Sequence, residues 1–397
     1  MNGRERIALT MWHIEPDRVP VMCQLSMGHY NLNSGYKPHE IWYETEAFAD
    51  ATVKLARRYR FDGTLVVLPG RPAGYLDKNL ASIEATQDGE WLTWHNGDKT
   101  FMPWDDMPHH YPADTSKPTR ADFEAFDPEK DLERIDDYLG HTWNVLYHMQ
   151  EIPEKEHKGL FTEGPVPEYS FRMFDLVKAA AGEDLSIHGS MYSPLTHYFE
   201  LFGYEEALVG FVSDPGKAHA VLARLAEHVI VYGLALIQHG ADAIDLSSAF
   251  VAAPFLSRKM YRQFVVPYEQ RVTAAIREAG GVIYTHTCGS IGDRLDLMEA
   301  TGTQGIDTLD PPPLGDGDLA AAKRDFGERL FFKGNMNSVA LLDFKTEAEV
   351  IAEAASRIEI GKPGAGYILS TACSVAPRVE PWKLELLAPL AEEIGKY

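Results

Sequence analysis

Residues 278–289 read Glu278-Ala279-Gly280-Gly281-Val282-Ile283-Tyr284-Thr285-His286-Thr287-Cys288-Gly289, and they hold the repeating unit of the fold. A helical pattern runs into them from Ser257 to Ala279, with Pro267 inside it as an expected kink. Two glycines then turn the chain, and Val282–His286 follows as a short β-rich run. The run is uncharged and lacks strict in/out alternation, which marks a strand buried on both faces.

The same handover occurs one unit earlier. Asp214 can cap a helix and Pro215 suits its first turn. Leu222, Leu225, Val229, Tyr232 and Leu236 recur in steps of three and four, so they share one face. Gly240 ends that helix before the strand Ala243–Leu246. Similar runs occur at Val19–Met22, Thr64–Leu68, Leu185–Gly189, Gly305–Leu309, Leu330–Lys333 and Tyr367–Ser370. Eight strands, each followed by a helix, predict an α/β fold of one closed (β/α)8 TIM barrel spanning residues 1–397. A ninth run, Leu160–Glu163, is read as an added strand or a loop.

Residues 70–157 break the rhythm and are expected to form an insertion after the second strand. Ser82–Glu84 and Glu90–Trp94 flank Asp88-Gly89, a hairpin signal. Trp91, Trp94, His95, Trp104, His109, His110 and Tyr111 crowd around it. Such an insertion would lie over the C-terminal mouth of the barrel, where its aromatics either pack the insertion itself or line a pocket.

Composition narrows the partners. Against 37 basic residues stand 59 acidic ones, a formal net charge of −22. That balance argues against nucleic acid or an anionic membrane, because phosphate neutralisation needs Lys and Arg. The longest apolar run, Val229–Ile237, is about half of what a membrane span needs. The first residues carry no apolar core or small-residue cleavage site, so a cytoplasmic protein is expected. Cys23, Cys288 and Cys373 form no disulfide framework.

Two of these cysteines carry the strongest chemical signal. His286 and Cys288 stand two apart at a strand end, so both side chains point the same way. Cys373 follows the last expected strand, and all strand ends of a barrel open on one face. Imidazole and two thiolates are good zinc ligands, and a fourth position left open to substrate would mark a catalytic site. Buried cysteine is commonly just a small apolar residue, but two strand-end cysteines, one beside a histidine, weigh against that here.

Gly240-Ala241-Asp242-Ala243-Ile244-Asp245, the Pro267 helix, Glu278–Gly281, His286–Gly289, Lys333-Gly334-Asn335 and Gly366–Ser370 occur in that order. The series resembles the uroporphyrinogen decarboxylase superfamily over the C-terminal half, and Asp17-Arg18-Val19-Pro20-Val21 resembles its first strand. The resemblance implies a (β/α)8 barrel. The family's decarboxylases hold substrate carboxylates with an arginine-rich R-Q-A-G-R-Y loop. Here the matching stretch is Cys23-Gln24-Leu25-Ser26-Met27-Gly28-His29-Tyr30, without arginine, so a decarboxylating lyase is the weaker alternative.

The other branch, zinc-dependent corrinoid methyltransferases, carries H-x-C with a later C. His286, Cys288 and Cys373 match it residue by residue. That branch, like the catalytic barrel of cobalamin-independent methionine synthase, places a glutamate further on, where this chain has Asp310. The shorter side chain is either a fourth zinc ligand or a loop residue before Pro311-Pro312-Pro313. Asp245 is expected to point into the mouth, as a catalytic carboxylate or as a hydrogen-bonded loop residue. Asn335 and Asn337 replace the family's N-x-D-P pattern. His13, His29, His188 and His197 are read as satisfied polar residues near strand ends.

The resemblance implies a methyltransferase with Zn2+ as cofactor, moving a methyl group between a small methylated compound and the cobalt of a corrinoid. The corrinoid (cobalamin) would come on a partner protein or free, since the chain has no D-x-H-x-x-G stretch. The aromatic insertion favours an aryl methyl ether as the methylated compound. Methylcobalamin:thiol transfer is the alternative.

Overall fold

The computed structural model describes residues 1–116, 120–131 and 168–397. Its centre is a seven-stranded parallel sheet of β1 (Gly63–Val66), β6 (Ser186–Tyr192), β7 (Ala243–Ser247), β8 (Ile283–Thr287), β9 (Gly305–Thr308), β10 (Phe331–Met336) and β11 (Tyr367–Thr371). The strands neighbour one another in that order. Each is buried along most of its length, as runs with few charges and no strict alternation require.

The first expected strand, Val19–Met22, makes isolated bridges rather than a ladder, and this corrects the reading of eight full strands. Val21 pairs in parallel with Leu369 of β11, and Leu25 with Val375. On the other side, the Asp62 amide donates to the Val21 carbonyl at 2.8 Å, and Asp62 Oδ2 accepts from the Val21 amide at 2.7 Å. The segment therefore closes the barrel as its eighth stave, with one carboxylate taking the place of a strand partner. Arg6 and Arg18 hold that carboxylate: Arg6 Nη1 lies 2.5 Å from Oδ1 and Arg18 Nη1 lies 2.8 Å from Oδ2. All three side chains are buried.

The lower interior is apolar. Met22, Leu65, Ala243, Tyr284, Phe331 and Ile368 meet there, and Ile7 and Met11 of the helix Gly3–Met11 plug the bottom. Gly305 is required by this layer, because a Cβ would lie 2.5 Å from the Phe331 ring. His188 of β6, beside Leu65 and Ala243 in register, has both ring nitrogens engaged, one at 3.0 Å from the Tyr284 hydroxyl and one at 3.1 Å from Ser186 Oγ.

The helices form the outer layer. Asp214 caps Pro215–Gln238 by accepting from the Lys217 amide. By length and composition this helix could cross a membrane. Here Val221, Leu222, Leu225 and Val229 are buried, and it packs against Val266–Glu278. The expected kinked helix from Ser257 to Ala279 is two helices, Arg258–Phe264 and Val266–Glu278. Pro267 has no N–H to continue the first helix, and it sits instead in the first turn of the second.

Between β1 and β6 lies a second sheet, antiparallel, of β2 (Leu80–Ala85), β3 (Gly89–Trp94), β4 (Lys99–Pro103) and β5 (His109–Tyr111). Its aromatics divide by strand alternation. Leu92, Trp94 and Met102 join the core, with Trp94 edge-on to Tyr43 at 5.0 Å. Trp91, Phe101 and Tyr111 stack on the opposite face. Asp105, in the loop after β4, pairs with Arg378, which follows Cys373 in the chain. The run Leu160–Glu163 lies outside the described residues.

Candidate metal centre

Three adjacent strands place a row of charged groups across the barrel interior. Register sets Lys333 of β10 beside Asp307 of β9, and Asp307 beside His286 of β8. Lys333 Nζ lies 2.9 Å from Asp307 Oδ1, and His286 Nδ1 lies 2.9 Å from Asp307 Oδ2. Lys333 and Asp307 are each 1% exposed, so neither charge would persist there unpaired. Burial alone would raise the Asp307 carboxyl, but Lys333 and His286 hold it below the ordinary carboxylate value.

With Nδ1 committed to Asp307, the other nitrogen of His286 faces the thiols. Cys288 Sγ lies 3.7 Å from His286 Nε2 and 3.4 Å from Cys373 Sγ. Cys288 follows the end of β8, Cys373 follows the end of β11, and both cysteines are free. The three donor atoms lie within 4.8 Å of one another. A tetrahedral zinc would set two sulfurs about 3.8 Å apart and a sulfur and nitrogen about 3.6 Å apart. The spacing and the soft donor set therefore fit Zn2+, with a carboxylate behind the imidazole as zinc histidines ordinarily have.

Asp245 and Asp310 flank this cluster differently. Asp245 lies on β7 with Oδ2 accepting from Ser190 Oγ at 3.0 Å, and a carboxylate oxygen lies within 4.8 Å of a His286 nitrogen. Burial pushes its carboxyl up to about 6. Asp310 follows two left-handed residues, Thr308 at φ 90° and Leu309 at φ 50°, so β9 stops one residue earlier than its sequence implies. Its Oδ2 accepts from the Gly289 amide at 2.6 Å, a turn that Gly289 makes at φ +87°. Among the described residues, the His286–Cys288–Cys373 grouping does not include Asp310. Burial also pushes the Asp310 carboxyl up to about 6.

The remaining residues make hydrogen bonds within the fold. Asp242 bonds Arg4 and the Ile187 amide, His29 Nε2 meets the Tyr59 hydroxyl at 2.8 Å, and Asn337 caps the turn at Ala340. Asn335 donates to the Leu309 carbonyl at 2.9 Å. Sequence reading missed Asp307 and gave Lys333 no role. The available signal was a charge of each sign inside apolar strand runs, which implies a buried pair. Asp307→Asn leaves Lys333 buried without its carboxylate, so it is expected to lower stability and, in the protein that remains folded, to weaken zinc binding 10–100-fold, read by competition with a chromophoric chelator. Unchanged zinc affinity would show that the imidazole needs no carboxylate here.

The cluster lies where the strands end, which is where β/α barrels carry their active sites. The uroporphyrinogen decarboxylase (URO-D) family model matches residues 151–394, and the chain belongs to that family. The uroporphyrinogen decarboxylase of Chlorobium phaeovibrioides is 29% identical over 193 residues, covering 46% of this chain and 51% of that protein. The methylcobamide:CoM methyltransferase MtaA of Methanosarcina barkeri is 24% identical over 218 residues, covering 55% and 61%. The chain thus spans about half the length of the curated relatives it matches. A solved methyltransferase from Methanosarcina mazei superposes with a TM-score of 0.68 at 18% identity, over 99% of each chain, which shows the shared fold.

Proposed function

We propose that this protein is a zinc-dependent methyltransferase that moves a methyl group between a small methylated compound and the cobalt of a corrinoid carried by a partner protein. One observation carries the reading: His286, Cys288 and Cys373 converge at the barrel mouth with zinc-compatible spacing. Similarity to named methylcobamide:CoM methyltransferases supports it. The arginine-free segment Cys23–Tyr30 separates it from decarboxylation, since a polycarboxylate would meet no guanidinium there.

His286, Cys288 and Cys373 would hold the metal, and bound zinc would act as a Lewis acid on a methoxy oxygen or on an incoming thiol. Asp307 fixes the imidazole so that Nε2 faces the metal position, and Lys333 keeps Asp307 ionised. Asp245, beside the imidazole and held by Ser190, is placed to accept a hydrogen bond from substrate. The sheet β2–β5 reaches the loop after Cys373 through Asp105 and Arg378, and its aromatics favour a flat methyl donor such as an aryl methyl ether.

The experiment follows the corrinoid spectrum with one enzyme preparation in both directions. Cobalt(I) corrinoid and a methoxylated phenol are expected to give methyl-cobalt faster than methylcobalamin and a thiol lose it. Demethylation of methylcobalamin by the thiol, with no reaction from any methoxyarene, would assign the reverse step.

A further inference from the structure

The upper interior of the barrel holds more hydrogen-bond acceptors than the chain satisfies. Asp245 Oδ1, Asp310 Oδ1, Asn335 Oδ1 and Gln24 Oε1 are shielded from solvent and meet no donor. They come from β7, the loop after β9, β10 and the segment that closes the barrel. Alternation along β7 puts Asp245 on the same side as Ala243, and Asn335 of β10 is placed by its side-chain bond to the Leu309 carbonyl, just before Asp310. Ala243 and Phe331 fill the interior below them.

Each of the three better-placed groups has its other atom already used. Asn335 Nδ2 donates to the Leu309 carbonyl, Asp245 Oδ2 accepts from Ser190 Oγ and Asp310 Oδ2 accepts from the Gly289 amide. The free oxygens are therefore oriented by the fold. Lys333, the cation at this level among the described residues, is paired with Asp307. A divalent metal held by two thiolates and an imidazole would add no net charge, so carboxylates remain in excess.

A buried acceptor without a donor is destabilising, and a ligand bringing a donor recovers that loss. A ligand bringing a second anion would add repulsion instead. We propose that Asp245 and Asn335, with Asp310 and Gln24 beside them, form the substrate-selecting wall of the mouth. This wall takes a neutral ligand carrying an O–H or N–H donor close to its methylated heteroatom, and it turns anionic ligands away. The inference rests on the methyl-transfer reading for its methylated substrate, but its test measures binding alone.

Three ortho-substituted methoxybenzenes separate the outcomes: 2-methoxyphenol offers a donor, 1,2-dimethoxybenzene offers none, and 2-methoxybenzoate is anionic. Calorimetry on the zinc-loaded full chain is expected to rank them in that order. The phenol should bind 10–100-fold more tightly than the dimethyl ether, because a site built to meet a hydroxyl rejects the analogue lacking it. In Asp245→Asn the phenol's advantage is expected to shrink severalfold and the benzoate to gain. Equal binding of the two neutral ethers, or tightest binding of the benzoate, overturns the proposal. A phenol preference unchanged in Asp245→Asn overturns it too, since direct coordination of phenolate to zinc would then explain it. Failure of methyl transfer would sink the proposed function while leaving this ranking standing, so the two readings fail separately.

Discussion

Cys373→Ala protein is expected to purify folded and almost free of zinc. The side chain lies just past β11 and takes no part in the apolar core, so its removal opens no cavity there. What it removes is one of the three donors that converge within 4.8 Å. Four-ligand zinc sites bind with roughly 10–16 kcal/mol, so losing one thiolate costs on the order of 3 kcal/mol. That weakens binding by a factor of about 100 or more.

Metal analysis after dialysis against buffered free zinc reads the loss, and urea unfolding checks the fold. Cys288→Ala should behave alike. Cys23→Ala should keep its zinc, because Cys23 packs in the core away from the cluster. Stoichiometric zinc in Cys373→Ala would remove the metal centre from the mechanism. Zinc stripped from the unsubstituted protein by a chelator should likewise leave the barrel folded, since its packed layers exist without the metal.

Asp62→Asn is expected to cost about 3–5 kcal/mol of stability, as breaking a buried ion pair from one side does. The carboxylate accepts from Arg6, Arg18 and the Val21 amide, and an amide in its place would leave Arg18 buried beside one neutral oxygen. Arg6 keeps Asp17 at 2.6 Å, so the uncompensated charge falls mainly on Arg18. The urea midpoint should fall accordingly, and zinc content should be unaffected in protein that remains folded. Arg18→Met combined with Asp62→Asn should recover part of the loss, because it removes the stranded guanidinium. A midpoint equal to that of the unsubstituted protein would mean that the stave closes on backbone bonds alone.

Most of the barrel was legible because its strands are largely apolar runs with few charges, bounded by glycine and proline, signals that act over a few residues. The Val19–Met22 segment shows the limit of that legibility. Its apolar pattern is that of a strand, but only one side meets a strand, β11, while the other meets the Asp62 carboxylate, and nothing local announces a carboxylate standing in for a ladder. Pro267 was recognisable as a breaker, yet whether a breaker bends a helix or starts a new one depends on packing around Val265 and Tyr268. His286, Cys288 and Cys373 were readable from residue type and strand-end position. Asp307 was not, because its role depends on which strands become neighbours. The spare oxygens of Asp245 and Asn335 were invisible for the same reason, since an acceptor is unpartnered only once every neighbour is known.

The closing stave also sets a timetable for the nascent chain. Val21 finds its sheet partner in Leu369, which the ribosome makes only near the end of the described chain. At about 5–20 residues per second, the interval is roughly 20–70 s. Throughout it the apolar Val19 and Val21 have no strand to cover them, although Asp62 and Arg18 are already available to hold the segment in place. The carboxylate latch can therefore form early and wait, keeping an exposed edge occupied until β11 arrives.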